Sequence, residues 1–311
     1  MRCSVSVHNA GLDPIGTANQ VLGWVVVEWP LPWPPKVEAV AELATVRDRA
    51  ADLGYRLQLA HHLDARVAPH RVLVAHRDRG PFRAFDVQAW SLGDRGGLDS
   101  AERRDALAAL TLDALTGAVP SDPSVDLPRL LVCSHGARDV CCGSFGTHLA
   151  SDLAAARPGL EIWRTSHLGG HRFAPTALSL PDGNLWAHLD VETAAGVADR
   201  SLDPAVAATH YRGCSATRPE AQLAERAALM AEGWSVFDAE RETGAEPDAE
   251  ASDGTGRLAW CVVRRRDGTA TRYEGRVSVN REIHLPPCGG IDATELRHDL
   301  RIDDARVTSV A

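Results

Sequence analysis

The first two hundred residues run through one order of elements twice, and that repetition restricts the folds open to the chain. In the first pass, 21–28 is a short apolar run with strand character, followed by a loop, Trp-Pro-Leu-Pro-Trp-Pro-Pro. Residues 37–53 have helical periodicity, 56–60 and 71–76 are Val- and Leu-rich strands, 82–90 alternates as a strand does, and 101–115 is helical. In the second pass, 130–133 is a buried strand by its unbroken apolar run, 145–156 a helix and 161–164 a strand. Residues 177–180 and 185–189 flank Pro-Asp-Gly-Asn, a hairpin signal, and 191–199 closes with a helix. Both passes read β-α-β-β-β-α.

This order matches a thioredoxin-like unit: a parallel β-α-β start, then an antiparallel hairpin and a helix. The expected fold class is therefore α/β, with two thioredoxin-like units in tandem. Beyond about residue 202 the pattern changes. A helix at 218–232, a strand at 234–238, an acidic loop at 240–256 and a hairpin of 258–265 with 271–279 predict a small C-terminal α+β region. The expected domains are 1–120, 121–201 and 202–311.

The chemistry concentrates in two short Gly-containing loops of the second pass. One reads Cys133-Ser-His-Gly-Ala-Arg-Asp-Val-Cys-Cys142, the other His167-Leu-Gly-Gly-His171-Arg-Phe. The first follows strand 130–133 and the second follows strand 161–164. In an open α/β sheet, sites form beyond the carboxyl ends of parallel strands, so both loops should meet at one end. Two thiols and two imidazoles suit an iron–sulfur cluster or zinc, and the spacing with its flanking elements favours a [2Fe–2S] cluster. Structural zinc more often pairs cysteines two to four residues apart, whereas eight residues lie between Cys133 and Cys142. Cys133-Ser-His135 suggests a Rieske centre, but Cys142-Gly-Ser-Phe supplies no second Cys–His element. His167-Leu-Gly-Gly-His171 lacks the Glu of a zinc protease, and thioredoxin redox chemistry lacks its C-x-x-C. Glycines 136 and 143 are read as permissive backbone, and Gly169-Gly170 as a tight loop rather than a helix.

Other residues carry weaker readings. His135 either hydrogen-bonds a cluster sulfur or braces its loop; Arg138 and Asp139 are loop braces; Arg172 is placed to offset cluster charge. His61, His62 and His70 fall in the first unit's equivalent of the His loop, but its Cys-loop equivalent, 29–36, holds no cysteine, so that unit is expected to carry no cluster. His148 and His188 read as structural. Cys3, Cys214, Cys261 and Cys288 show no paired pattern, and His284-Leu-Pro-Pro-Cys288 is a weak metal-like pair. A formal charge of −9 argues against a nucleic-acid partner. No signal-peptide core and no run long enough to span a membrane is evident, so the expected location is cytoplasmic.

The paired motifs, with Arg2-Cys3-Ser4 and the run Leu-Gly-Trp-Val-Val-Val-Glu-Trp-Pro, resemble the sucrase/ferredoxin-like family, a group of thioredoxin-like [2Fe–2S] proteins. The resemblance implies a non-Rieske cluster held by two cysteines and two histidines, which carry over to Cys133, Cys142, His167 and His171. The doublet Cys141-Cys142 is a departure that leaves Cys141 as an alternative second ligand. The implied function is ferredoxin-like electron transfer, with coupled proton transfer at the imidazoles. Its partners are an unidentified redox donor and acceptor, a flavoprotein reductase being one candidate. Two alternatives stay open: a zinc-binding structural or interaction protein using the same four residues, and a cluster-dependent reductase of a small molecule. Despite the family's name, no paired-carboxylate signal supports sugar cleavage.

Overall fold

The structure is a computed structural model that describes residues 2–63, 70–93, 100–248, 256–285 and 295–310, with the side chains of 281–285 and 295–299 left aside. In chain order the elements are α1 (Cys3–Asn9), β1 (Gly23–Glu28), α2 (Ala44–Asp52), β2 (Tyr55–His62), β3 (Arg71–His76), β4 (Asp86–Ser91) and α3 (Ala101–Thr116). Then come β5 (Leu130–Cys133), α4 (Thr147–Ala156), β6 (Ile162–Thr165), β7 (Ala177–Ser179), β8 (Asn184–Trp186), α5 (Val191–Ala198), α6 (Pro204–His210) and β9 (Tyr211–Cys214). The chain ends with α7 (Pro219–Glu232), β10 (Glu240–Pro247), β11 (Arg257–Arg264), β12 (Ala270–Leu285) and β13 (Glu295–Val310). The fold is mixed α/β, and both passes of β-α-β-β-β-α occur in this order. Among the described residues, no helix is long and apolar enough to cross a membrane.

By contact the chain divides into two compact units, Val21–Arg77 with Phe85–Pro181, and Met1–Gln20 with Asp78–Ala84 and Asp182–Ala311. The expected boundaries at 120 and 201 describe repeats rather than compactness and remain a proposal about organisation. The first of these, the site unit, contains strands in the order β4-β3-β1-β2-β6-β5-β7. The pairs β1/β2 and β5/β6 are parallel, as β-α-β connections require, and their neighbours run antiparallel. The two passes join edge to edge through antiparallel β2 and β6, with Ala60 opposite Thr165 and His62 opposite Trp163.

Strand β1 is buried at every position, which explains its continuous apolar run. Its alternate residues Val25 and Val27 pack with Leu59, Val72 and Val74, and with Val46 of α2 and Leu107 of α3. Helices α2 and α3 thus pack on this half-sheet. Helix α2 is shorter than the expected 37–53. Val40 has extended backbone (φ −76°, ψ 104°), which splits the preceding stretch into two 3-10 turns, Val37–Ala39 and Ala41–Leu43.

A buried ionic network crosses the sheet at β1, β3 and β6. Glu28 Oε2 accepts from the Arg71 backbone N–H at 2.7 Å and lies 3.4 Å from Arg71 Nε. Arg71 Nη1 reaches Glu161 Oε1 at 3.0 Å, and the guanidinium lies over the Trp163 ring at 4.2 Å. Glu161 Oε1 also accepts from Trp163 Nε1 at 2.8 Å and sits 3.2 Å from His62 Nε2.

In the C-terminal unit, α7 packs on β9 and β11, and β10-β11-β12-β13 form an antiparallel sheet. Arg241 and Glu225 form an ion pair at 3.0 Å in which both side chains are wholly buried. Two sequence expectations fail here. Residues 234–238 are not a strand but a 3-10 turn, Gly233–Phe237, in which Trp234 stacks on Trp186 and Phe237 on Tyr211. A short apolar run signals burial without fixing the period, and aromatic packing decides it. The expected acidic loop instead opens with β10, whose polar residues gain strand structure by pairing with apolar β11. The expected hairpin of 258–265 and 271–279 is present as β11 and β12.

The network predicts one pH dependence. Burial raises the Glu161 pKa, but hydrogen bonds from His62 and Trp163 and the charge of Arg71 outweigh it and hold the carboxyl at about 2, below its ordinary 4.5. Its contribution to stability is therefore complete above pH 4.5 and lost as pH falls toward 2. In urea titrations, Glu161→Gln should flatten the fall in stability over that window. Parallel wild-type and variant profiles would contradict this assignment.

Candidate metal centre

Strand β5, Leu-Leu-Val-Cys, is buried throughout and ends on Cys133. Its end is fixed from both sides: the Cys133 N–H donates to Thr176 O at 2.9 Å and the Ser134 N–H to Thr165 O at 3.0 Å. The chain then turns on Asp139, which is buried and accepts from the backbone N–H groups of Cys141 (2.8 Å) and Cys142 (3.2 Å) through Oδ1. A π-turn, Cys142–Gly146, leads into α4. Such turns recur at functional sites, where they re-aim side chains. The glycines here serve close approach rather than conformational freedom. A Cβ on Gly143 would lie 2.3 Å from Gly136 Cα, and one on Gly146 would lie 1.8 Å from the Cys133 carbonyl oxygen.

The His loop does need unusual backbone. Gly169 and Gly170 have φ of 84° and 67°, conformations costly for other residues, and His171 opens a 3-10 turn, His171–Phe173. Two side chains hold this loop against the sheet. Arg56 of β2 donates to the carbonyls of His167 (2.6 Å) and Leu168 (3.3 Å). His135 accepts from the His167 N–H through Nδ1 at 3.2 Å, while its Nε2 lies 2.9 Å from Pro34 O. These bonds fix the proton on Nε2, so His135 braces three segments at once. Burial also lowers its pKa, which favours the neutral ring, against the raising effect of the Pro34 hydrogen bond.

These loops bring Cys133 Sγ, Cys142 Sγ and a ring nitrogen of His167 within 4.8 Å of one another. Both cysteines are buried and His167 is half-buried. Cys142 Sγ is 3.8 Å from His167 Nδ1. The His171 ring centroid lies 5.9 Å from that of His167, and its Nε2 is 3.8 Å from Asp139 Oδ2, so His171 borders the trio without joining it. Cys141 is buried too but stands outside the trio. The thiols share charge unequally. A hydrogen bond from Cys142 pulls the Cys133 pKa well down against the cost of burial, aided by His167 and the Leu168 N–H. The same contact, then burial, pushes Cys142 up. The one contact thus favours the charged form of Cys133 and the neutral form of Cys142.

The remaining candidates lie elsewhere. Arg138 is exposed, and Arg172 is buried in its 3-10 turn. His148 Nδ1 lies 2.8 Å from Ser144 O, within the helical start of α4. His188, in the C-terminal unit, has φ of 51° and a pKa lowered to about 4 by burial and by His8, His210 and Arg212. His61 and His62 are strand residues of β2 rather than loop residues, and His70 is buried with Arg103 donating to its Nδ1. The six described cysteines are unbridged. Cys288 and the side chain of His284 fall outside the described residues. In the first pass, Glu28 occupies the strand end that Cys133 occupies in the second: the Trp29 N–H donates to Ala60 O at 2.8 Å just as Ser134 does to Thr165. Arg56 was not among the expected site residues, because its role depends on the β2/β6 register, which leaves no local signal.

Residues 14–213 match the family described as sucrase/ferredoxin-like, and the chain belongs to that family. A 63-residue stretch is 36% identical to altered inheritance of mitochondria protein 32 of Kluyveromyces lactis. That stretch covers 20% of this chain and 20% of the yeast protein, so the chain matches only a fifth of that relative's length. No solved structure matches the chain.

The Asp139 brace gives a discriminating pair of variants. Asp139→Asn keeps an oxygen that can accept from Cys141 and Cys142, whereas Asp139→Ala leaves two buried N–H groups without it. The Ala variant should lose about 1–3 kcal/mol more stability than the Asn variant in urea unfolding. Equal losses would show that the carboxylate charge, not its acceptor oxygen, matters.

Proposed function

We propose that this protein is a ferredoxin-like electron-transfer protein that holds one [2Fe–2S] cluster. The supporting observation is the compact buried trio of Cys133, Cys142 and His167, with His171 at its border. In this reading all four residues are the ligands, and Cys142 rather than Cys141 is the second thiolate. The donor set fits the group: thiolates and imidazoles both ligate iron in such centres, and a backbone N–H, that of Leu168, already points at the Cys133 sulfur. A bound cluster would supply one-electron redox chemistry. The protein's own part is to hold two loops at one sheet end, through Arg56, His135 and Asp139, and to bury the thiols from solvent.

The same reading takes the two passes as tandem thioredoxin-like units, 1–120 without a cluster and 121–201 with one, followed by the region 202–311. The Glu28–Arg71 pair at the first pass's strand end supports the division of labour, because a buried ion pair fills the position where the second pass has Cys133. Redox partners follow from the function and remain to be identified by reconstitution with candidate donors, a flavoprotein reductase among them. A second reading is mononuclear zinc, which the closeness of the trio also favours.

Anaerobically purified protein, expressed with ample iron, should contain two irons and two sulfides per chain, about the composition of one such cluster. Cys133→Ser and Cys142→Ser should abolish the visible absorption, and Cys141→Ser should retain most of it. Stoichiometric zinc without sulfide would establish the second reading. Loss of the spectrum in Cys141→Ser alone would overturn the ligand assignment.

A further inference from the structure

Beside the candidate metal centre, within the site unit, lies a cavity of 570 Å³ lined by Lys36, Val37, Arg56, Leu57, Arg138 and His167 among others. Its size falls within the range of small-molecule sites, roughly 300–1,000 Å³. Its charge is opposite to that of the chain. The protein carries 42 acidic against 33 basic side chains, yet the cavity wall holds Lys36, Arg47, Arg56 and Arg138 against the single carboxylate of Glu38.

The four cations are not equally committed. Arg47 is tied to Asp48 at 2.7 Å and to the Glu38 carbonyl at 3.1 Å. Arg56 is spent on the carbonyls of His167 and Leu168. Lys36 and Arg138 are exposed and make no ion pair among the described residues. Lys36 is also the only lysine in the chain. Burial is the largest burden on Arg56; the charges of Cys133 and Glu38 ease it, and Arg138 adds a smaller like-charge opposition. A site that keeps like charges together gains when an anion enters. Between the cations the wall is apolar. Val37, Tyr55 and Leu57 belong to the edge of the core and turn part of their surface to the cavity.

We infer that this cavity binds a small organic anion, a carboxylate or phosphate carried on a flat apolar body, with the charge held by Lys36 and Arg138 and the body against Tyr55 and Leu57. The ligand would lie against His167, whose Nδ1 is 3.8 Å from Cys142 Sγ. The inference deepens the electron-transfer reading by naming the class of molecule that meets the site, and only that consequence rests on the cluster; binding itself needs none.

The single lysine makes the test direct. Reductive methylation with labelled formaldehyde places one dimethyl-lysine signal in the cavity, readable by carbon NMR alongside that of the amino terminus. Titration with phenyl phosphate should move the lysine signal saturably, and benzoate should do so if carboxylates are accepted as well. Phenol, which lacks the charge, and inorganic phosphate, which lacks the body, should each bind at least tenfold more weakly. Calorimetry on unmodified protein should show Lys36→Gln and Arg138→Gln each weakening phenyl phosphate by roughly tenfold, as loss of one charge-assisted hydrogen bond implies. Lys36→Arg should restore most of the affinity. Iron content is measured on the same samples: binding without iron would sink the cluster reading and leave this inference standing. An unmoved lysine signal, equal affinity for phenol, or unchanged affinity in both Gln variants would overturn it.

Discussion

The candidate centre depends on one constraint, the pairing of β6 with β5 on one side and with β2 on the other. The parallel pair sets Cys133 opposite Thr165, so the chain leaves both strands at the same end of the sheet. The antiparallel pair sets Ala60 opposite Thr165 and brings Arg56 to the carbonyls of His167 and Leu168. A slip of one residue in either pairing would turn Cys133 or Arg56 to the opposite face of the sheet. The hydrophobic burial of β1, β5 and β6 therefore specifies the site indirectly, by specifying register.

Local polar groups convert that register into a defined pocket. Asp139 collects the backbone of Cys141 and Cys142, and His135 collects Pro34 and the backbone of His167. Gly146 admits the Cys133 carbonyl where any Cβ would collide with it. Together they hold Cys133, Cys142 and His167 close together, and that contact lowers the Cys133 pKa while raising that of Cys142.

The strand–loop–helix order around Cys133 and Cys142 was legible in sequence because apolar runs, glycines and the spacing of elements are local signals. From that order alone, both loops were expected at one sheet end. The choice between Cys141 and Cys142 was not a matter of period, since a π-turn changes which side chain faces inward; the structure sets Cys142 in the trio. Arg56 was invisible for another reason: β2/β6 pairing joins residues more than a hundred positions apart. The same holds for Glu28, an acid inside an apolar strand whose partner, Arg71, lies on the neighbouring strand. In the C-terminal unit, β10 was misread as a loop because its polar residues become a strand only through their pairing with β11.

The account's central claim is that two imidazoles and two thiolates of this one pocket bind the same iron–sulfur centre. Pulsed electron paramagnetic resonance on the dithionite-reduced protein tests it most directly, because nitrogen nuclei bound to the paramagnetic centre modulate its echo. The account predicts strong couplings from two imidazole nitrogens in the wild type, and from one in His167→Cys or His171→Cys. A reduced centre whose echo carries no strong nitrogen coupling, or whose couplings persist unchanged in both variants, would contradict it.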